Sequence, residues 1–319
     1  YSVMTQSSLS GRIDLHCHST ASDGILSPGE LVSRAKLHGV SLLALTDHDT
    51  VSGVREAQEA GCRSGVSVLP GIEFTAGWGR RSVHIVGLNI DCSSESLCEA
   101  ISLRDHLRAE RAEQIALRLE KRGFPGALGG ARALAGNSVI GRPHFARWLV
   151  DAGHVSDTAK AFKRYLGAGK AGDVAVPWPD IGDTVHSIRA AGGVAVLAHP
   201  LKYGLTRTRL LSLVSEFRDA GGHALEVVCG QQNPLQTREV LALMEKVAES
   251  GEALCGSLGS DFHQPEQPWR ELGSVRLPAG VEPVWNLWQT GADVTAGGCC
   301  RDTGLSGGCR VEWSVHLNH

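Results

Sequence analysis

Short apolar runs alternate with amphipathic helical stretches along most of this chain, and that alternation leaves few folds open. Ile13 to His16 has the character of a short strand ending in polar residues. Ser27-Pro28-Gly29-Glu30 then starts a helix, with Ser as cap, Pro at the first helical position and Glu at the third. Its apolar residues run through Leu31, Ala35 and Leu37, and Gly39 closes it. Val40 to Leu45 is a buried strand leading into Thr46-Asp47-His48-Asp49, Val51 to Gly61 is helical, Val66 to Leu69 is a strand, and Ser82 to Leu88 is another. The rhythm returns later: helix Ile181–Ala191 leads to strand Val194–Ala198, helix Arg209–Ala220 to strand Ala224–Val228, and helix Leu235–Ser250 to strand Leu254–Leu258. Such alternation predicts an α/β fold with a parallel sheet, open or closed into a barrel.

The rhythm breaks once. A long charged helix, roughly Ile101 to Arg122, opens a mostly helical stretch that ends near Trp178. Arg104, Arg108 and Arg111 on that helix read as a solvated face. The expected division is 11–92 and 177–288 as two parts of one domain, 93–176 as a helical insertion capping it, and 289–319 as a Gly/Cys-rich tail, disordered or foreign to the fold. Nine cysteines form no disulfide framework; those before the tail are scattered singly, as buried reduced thiols of a cytoplasmic protein would be. No basic segment followed by an apolar one marks a secretory signal, and no apolar run approaches membrane-spanning length. A formal net charge of −3 speaks against binding long duplex nucleic acid by its backbone, though a local basic pocket could still take a short nucleotide.

The chemistry lies where polar residues meet the strands. His16 and His18 follow the first strand, Asp47 and His48 the second, and Glu73 the third. His84 lies within the fourth, His199 ends the next, and Asp261 and His263 come just past the last. In parallel α/β folds the carboxyl ends of the strands share one rim, so these side chains converge although they span the chain. Imidazole and carboxylate are ligands for divalent ions such as Zn, Mn and Fe. In His-x-His on an extended strand both rings point to one face, so His16 and His18 can grip one ion. With Asp23 the set reaches about nine ligands, and a single site uses three or four, so two or three ions is the natural division.

Taken together, Asp14-Leu15-His16-Cys17-His18-Ser19, Ser22-Asp23-Gly24, Thr46-Asp47-His48-Asp49, Gly71-Ile72-Glu73, His84, Ala198-His199-Pro200 and Gly259-Ser260-Asp261-Phe262-His263 resemble the polymerase-and-histidinol-phosphatase (PHP) domain family, in order from about Ile13 to Trp288. The resemblance implies a distorted seven-stranded β/α barrel with a trinuclear metal cluster at its rim. By motif, it places His16, His18, Glu73 and Asp261 on one ion. Glu73 bridges to a second, shared with His84 and His199, and Asp23, His48 and His263 hold a third. Asp23 stands where some members have histidine, which makes the third site harder and weaker. Ile140-Gly141-Arg142-Pro143-His144, Ala161-Phe162 and Tyr165-Leu166-Gly167 before Lys170 are similar to a bacterial branch of nucleoside 3′,5′-bisphosphate phosphatases and 5′→3′ exoribonucleases. Ala171 departs from the proline expected there, and the Gly/Cys tail matches nothing in the family.

The function expected on these grounds is hydrolysis of a nucleotide phosphate ester by a metal-activated hydroxide, with Mn favoured and Fe, Zn or Mg as alternatives. Asp14 and Asp47 are expected to orient ligating imidazoles, joining Glu73 and Asp261 in the catalytic set. Arg142 can hold a phosphate through two parallel hydrogen bonds, with His144, Lys170 and Tyr203 completing the substrate site. The substrate would be a nucleotide or short oligonucleotide, with no membrane and no obligate protein partner. Histidinol-phosphate phosphatase, or another small-molecule phosphatase, is the rival within the same chemistry. A metal-dependent amidohydrolase would need a bridging lysine at a strand end, where this chain has Glu73. A non-catalytic metal- or nucleic-acid-binding module would lack ligands and carry a basic surface.

Overall fold

The structure, a computed structural model, describes residues 11–289. From residue 290 onward, the expected tail lies outside the described residues. Seven strands form one sheet in chain order: β1 (Arg12–Asp14), β2 (Val40–Leu45), β3 (Ser67–Trp78), β4 (Arg81–Leu88), β5 (Val194–Leu197), β6 (Ala224–Cys229) and β7 (Cys255–Gly259). Its two edges meet. Leu15 donates its N–H to Leu258 (3.2 Å), Asp261 to His16 (2.8 Å), and His18 to Phe262 (2.9 Å), so β1 and β7 close the sheet into a barrel.

The sheet is not wholly parallel, as the strand–helix rhythm led one to expect. β3 runs on through Pro70 to Trp78, turns at Gly79-Arg80, and returns as β4, which is antiparallel to both β3 and β5. Gly79 takes φ of 58°, which the tight hairpin requires. Pro70 pairs with Leu45 at the end of the β2–β3 ladder, where a missing N–H costs least, and its carbonyl accepts from Ile90 (3.3 Å). The distortion matters for function, because it sets Glu73 and His84 inside strands that face one another rather than at strand ends.

Helices pack outside this sheet. α1 (Pro28–Leu37) starts with a complete capping box between Ser27 and Glu30, and buries Leu31, Val32 and Ala35, while Leu37 is 85% exposed. α2 (Val54–Ser64) ends on the left-handed Gly65. Between β4 and β5 come α3 (Glu95–Glu120), α4 (Ala127–Ala135), α5 (Arg142–Asp151), α6 (Thr158–Ala161), a π-helical turn (Phe162–Leu166) and α7 (Ile181–Ala190). α8 (Arg207–Asp219) and α9 (Pro234–Ala248) complete the return to β7, α9 capped by Asn233 and Gln236.

Alternate strand residues serve two cores. Ala44, Leu69, Val86, Leu88, Val194, Val196 and Ala224, with Leu15, form one cluster drawn from β2 to β6, as in a filled barrel interior. Their neighbours Ile85, Ala195, Leu197, Leu225 and Val227 pack with α7, α8 and α9. Residues from Ala112 to Val174 form a separate apolar cluster. Cys17 and Cys229 are buried, whereas Cys62 is exposed. No helix among the described residues is long and apolar enough to cross a membrane.

Barrel closure depends on one glycine. A Cβ on Gly259 would lie 2.2 Å from His16 Cβ and 2.7 Å from its backbone nitrogen. Backbone cannot swing aside as a flexible side chain can. Gly259→Ala is therefore expected to destabilise the protein by about 1–3 kcal/mol, read by chemical denaturation. Wild-type stability in that variant would show that β1 and β7 do not pack this closely.

Candidate metal centre

Glu73 is the hub of the site. Lying in β3 and fully buried, it faces five imidazoles from four different segments. Its Oε2 lies 3.2 Å from His16 Nε2, 3.2 Å from His18 Nε2 and 3.0 Å from His48 Nδ1. Its Oε1 lies 2.9 Å from both His84 Nδ1 and His199 Nε2. Asp261 Oδ1 approaches His16 and His18 at 3.6 and 3.4 Å. Asp23 faces His263 at 3.4 Å, and His48 and His18 at 3.8 Å each. All nine side chains singled out as ligands thus meet in one cluster, in four overlapping groups whose ligand atoms lie within 4.8 Å of one another.

Chain geometry is spent on bringing them there. His199 and Asp261 adopt left-handed backbone conformations, with φ of 29° and 52°, rare for residues with a Cβ. Such strain persists where the surroundings enforce it, and it clusters at functional sites.

The electrostatics call for positive charge. Burial would keep Glu73, Asp23 and Asp261 neutral. Adjacent imidazoles, and for Asp261 chiefly Lys202, nevertheless hold all three well below the usual carboxylate range. Burial likewise opposes charge on His18, yet its contacts with Asp261 and Glu73 draw its pKa up to about 10. His48, by contrast, is pushed down by burial to about 3. Meanwhile His16 Nε2, both ring nitrogens of His18, His48 Nδ1, His199 Nδ1 and Glu73 Oε2 are buried without a hydrogen-bond partner. Buried polar atoms are normally satisfied, so this concentration of ligand atoms marks a cation site. The donor set fits divalent metal ions.

The PHP domain family profile matches residues 14–166. A 5′-3′ exoribonuclease of Haemophilus influenzae is 45% identical over 276 residues, covering 86% of this chain and 98% of that protein. The chain belongs to the PHP domain family. A 3′,5′-nucleoside bisphosphate phosphatase of Chromobacterium violaceum is 42% identical over 277 residues, covering 86% of this chain and 95% of that protein. Among solved structures, an amidohydrolase from Chromobacterium violaceum with bound sulfate and no metal matches with a TM-score of 0.81 at 39% identity, covering 88% of this chain and 96% of that one.

Around the ligand cluster of this PHP barrel, some side chains hold places other than those expected. Asp14 accepts from the backbone N–H of Ser260 (2.9 Å) and Gly273 (2.8 Å), and no imidazole among the described residues hydrogen-bonds to it. Asp47 accepts from the N–H and hydroxyl of Ser19 (2.8 and 2.7 Å) and the hydroxyl of Ser22 (2.6 Å), fixing the loop that carries Asp23. Both carboxylates brace backbone and hydroxyls rather than rings. Ring orientation falls instead to Glu226 on β6, 2.9 Å from His16 Nδ1 and accepting the His199 N–H at 2.6 Å. Tyr203 is also spoken for: its hydroxyl donates to Ala198 O (2.9 Å) and accepts from His84 N–H (2.8 Å).

In the helical segment, His144 caps α5, its Nδ1 accepting the Gly141 N–H at 3.1 Å, and burial lowers its pKa to about 4. That ring is neutral and internally engaged, which suits a structural cap better than a phosphate ligand. Lys170 is exposed in the loop after the π-helical turn. Arg142 donates to Leu166 O at 3.3 Å and lines a small recess with Arg108 and Arg111.

Three features gave no sequence signal. Arg104 is buried, not solvated: it donates to Thr75 O (2.9 Å) and Thr184 Oγ1 (2.7 Å) and stacks on Phe74 at 4.1 Å. Arg108 is likewise buried and donates to Asp49 Oδ2 at 2.6 Å. Lys202 and Arg270 both reach Asp261 Oδ2, Arg270 at 3.2 Å. Lys202 follows β5 in a single 3-10 turn, outside any periodic pattern.

Proposed function

We propose that this chain is a metal-dependent phosphoesterase that cleaves the P–O3′ ester of a nucleotide carrying a 5′-phosphate. The substrate is a nucleoside 3′,5′-bisphosphate, the 5′ end of a short RNA, or both. The carrying observation is Glu73, one buried carboxylate facing five imidazoles, with unpartnered ligand atoms around it. His16, His18, Asp261 and Glu73 would hold one ion, with Glu73, His84 and His199 on a second. Asp23, His48 and His263 would hold a third, and Mn is the metal we favour. Bound there, such ions supply a nucleophilic water at neutral pH and neutralise charge on the reacting phosphate.

The protein's own work is positioning. Glu226 fixes the His16 ring and the His199 backbone, so both present a constant face to the centre. Residues 93–176 act as a cap over the rim, tied to the Asp23 loop by Arg147, which donates to Asp23 O at 3.0 Å. Arg142, with Arg111 beside it, would grip the 5′-phosphate. Burial, then repulsion by Arg142 and Arg108, draws the Arg111 pKa down to about 9, as expected where guanidinium charge exceeds local counter-charge. A phosphate dianion would relieve that imbalance.

The test is a substrate panel with Mn present. Adenosine 3′,5′-bisphosphate and a short 5′-phosphorylated RNA should be hydrolysed at least about 100-fold more efficiently than histidinol phosphate, which lacks the groups this cap would bind. Equal or reversed preference would sink the nucleotide assignment.

A further inference from the structure

Two carboxylates stand in the middle of the ligand cluster, and they are held differently. Glu73 turns both oxygens to imidazoles, three on Oε2 and two on Oε1. Asp261 turns Oδ1 that way, 3.6 and 3.4 Å from His16 and His18 Nε2, while Lys202 and Arg270 occupy Oδ2, Arg270 at 3.2 Å. We propose that Lys202 and Arg270 are positioning residues that restrict Asp261 to a single metal-facing oxygen, so that a coordination position stays free at the ion it helps to hold. This rests on the phosphoesterase reading above and concerns two residues to which that reading gives no role.

The backbone leaves these cations one thing to decide. The Asp261 N–H donates to His16 O (2.8 Å), and its carbonyl oxygen lies 2.9 Å from His263 Nδ1. With both peptide groups tied, the carboxylate can still turn about its last bond, a soft torsion, and that turn selects how many oxygens face the centre. The two cations reach it from separate segments. Lys202 sits in the 3-10 turn after β5, its N–H donating to His199 O (2.9 Å), and Arg270 in the turn after β7, its N–H donating to Gln267 O (2.9 Å). Gly230 makes room for Arg270: a Cβ there would lie 3.2 Å from Arg270 Cγ and 2.6 Å from Ser260 O.

Neutralising Asp261 does not account for two cations. Asp23, Glu73 and Asp261 bring three negative charges, which two divalent ions already exceed, so each further cation nearby is repelled. Burial opposes charge on Lys202, yet Asp261 draws its pKa upward, so the ammonium stays on Oδ2 as a full charge. Nor does the pair serve the fold. The Lys202 and Arg270 side chains are 38% and 27% exposed, and ion pairs this open contribute little to stability. What the two can do is hold an oxygen out of use. A carboxylate that gives both oxygens, to one ion or to two, fills a position that a catalytic centre keeps open for water or substrate.

The experiment strips the protein of metal with a chelator and titrates Mn into wild type, Lys202→Met and Arg270→Met by calorimetry. It then measures kcat on adenosine 3′,5′-bisphosphate at saturating Mn. Methionine keeps much of the apolar stem of either side chain and removes the charge. A partner that merely steadies a ligand loses metal affinity when it is removed. Here the freed oxygen and the lost repulsion should instead tighten Mn binding by about threefold or more, while kcat falls about 10–100-fold. Opposite movement of the two readouts is what a purely structural role would not produce. Mn binding unchanged or weakened in the variants, or kcat within about twofold of wild type, overturns the inference and leaves the phosphoesterase reading standing. If one variant fails to fold, the other decides. A wild type that binds Mn but leaves the bisphosphate intact removes the nucleotide assignment, and the calorimetric arm then decides this inference alone. A wild type that binds neither Mn nor Zn overturns both.

Discussion

Replacing Glu73 with glutamine is expected to lower turnover by on the order of 10²–10³ or more, with the fold intact. The amide keeps the shape of the side chain and removes one negative charge from the point where His16, His18, His48, His84 and His199 meet. A carboxylate with both oxygens turned to different imidazoles can join two ions; an amide offers one weak oxygen ligand and an NH₂ that repels cations. The variant should therefore also bind fewer metal ions per chain, measured by elemental analysis after dialysis. That second readout separates a metal-site role from a purely structural one. Wild-type metal content together with wild-type turnover would remove Glu73 from the centre of the mechanism.

Much of this site was visible in the bare sequence, because strand ends are legible and few residue types ligate metals. His16, His18 and Asp261 follow strands whose apolar runs are unambiguous, and a shared rim is a property of the fold rather than of any local contact. The direction of β4 was not legible: periodicity reports which residues are buried, not which way a strand runs. The roles of Asp14 and Asp47 were misread for a related reason. A carboxylate beside a ligand motif can orient a ring or brace backbone amides, and only the partner distinguishes the two. Lys202 and Arg270 stand in short irregular segments, where a cation carries no pattern. Arg104 and Arg108 were read as solvated because helical spacing shows a charged residue but not what covers it. Their cover is Asp49, more than fifty positions earlier in the chain.

That pairing yields the largest expected effect on stability. Asp49→Asn should destabilise the metal-stripped protein by about 3–5 kcal/mol. Burial would raise the Asp49 pKa, but Arg108 and then Arg104 hold it below the ordinary carboxylate value. Asp49 accepts from Thr75 N–H (2.7 Å) and Arg108 (2.6 Å), and lies 3.5 Å from Arg104. It joins three elements at one point: the loop after β2, strand β3 and helix α3. Asparagine tolerates the left-handed backbone at this position (φ 52°), so the substitution isolates charge from conformation. What it leaves is two guanidiniums, one of them fully enclosed, without their carboxylate, and a buried unpaired charge is far more unfavourable than a lost surface pair. Pairing it with Arg108→Met should recover part of the loss, because the orphaned cation goes too, and the double-mutant cycle measures the coupling directly. Calorimetric melting of the single variants, the double variant and wild type gives all four corners. If Asp49→Asn melts with wild type, or the two substitutions simply add, α3 is held to the barrel by its apolar residues alone and the buried ion cluster contributes nothing to joining them.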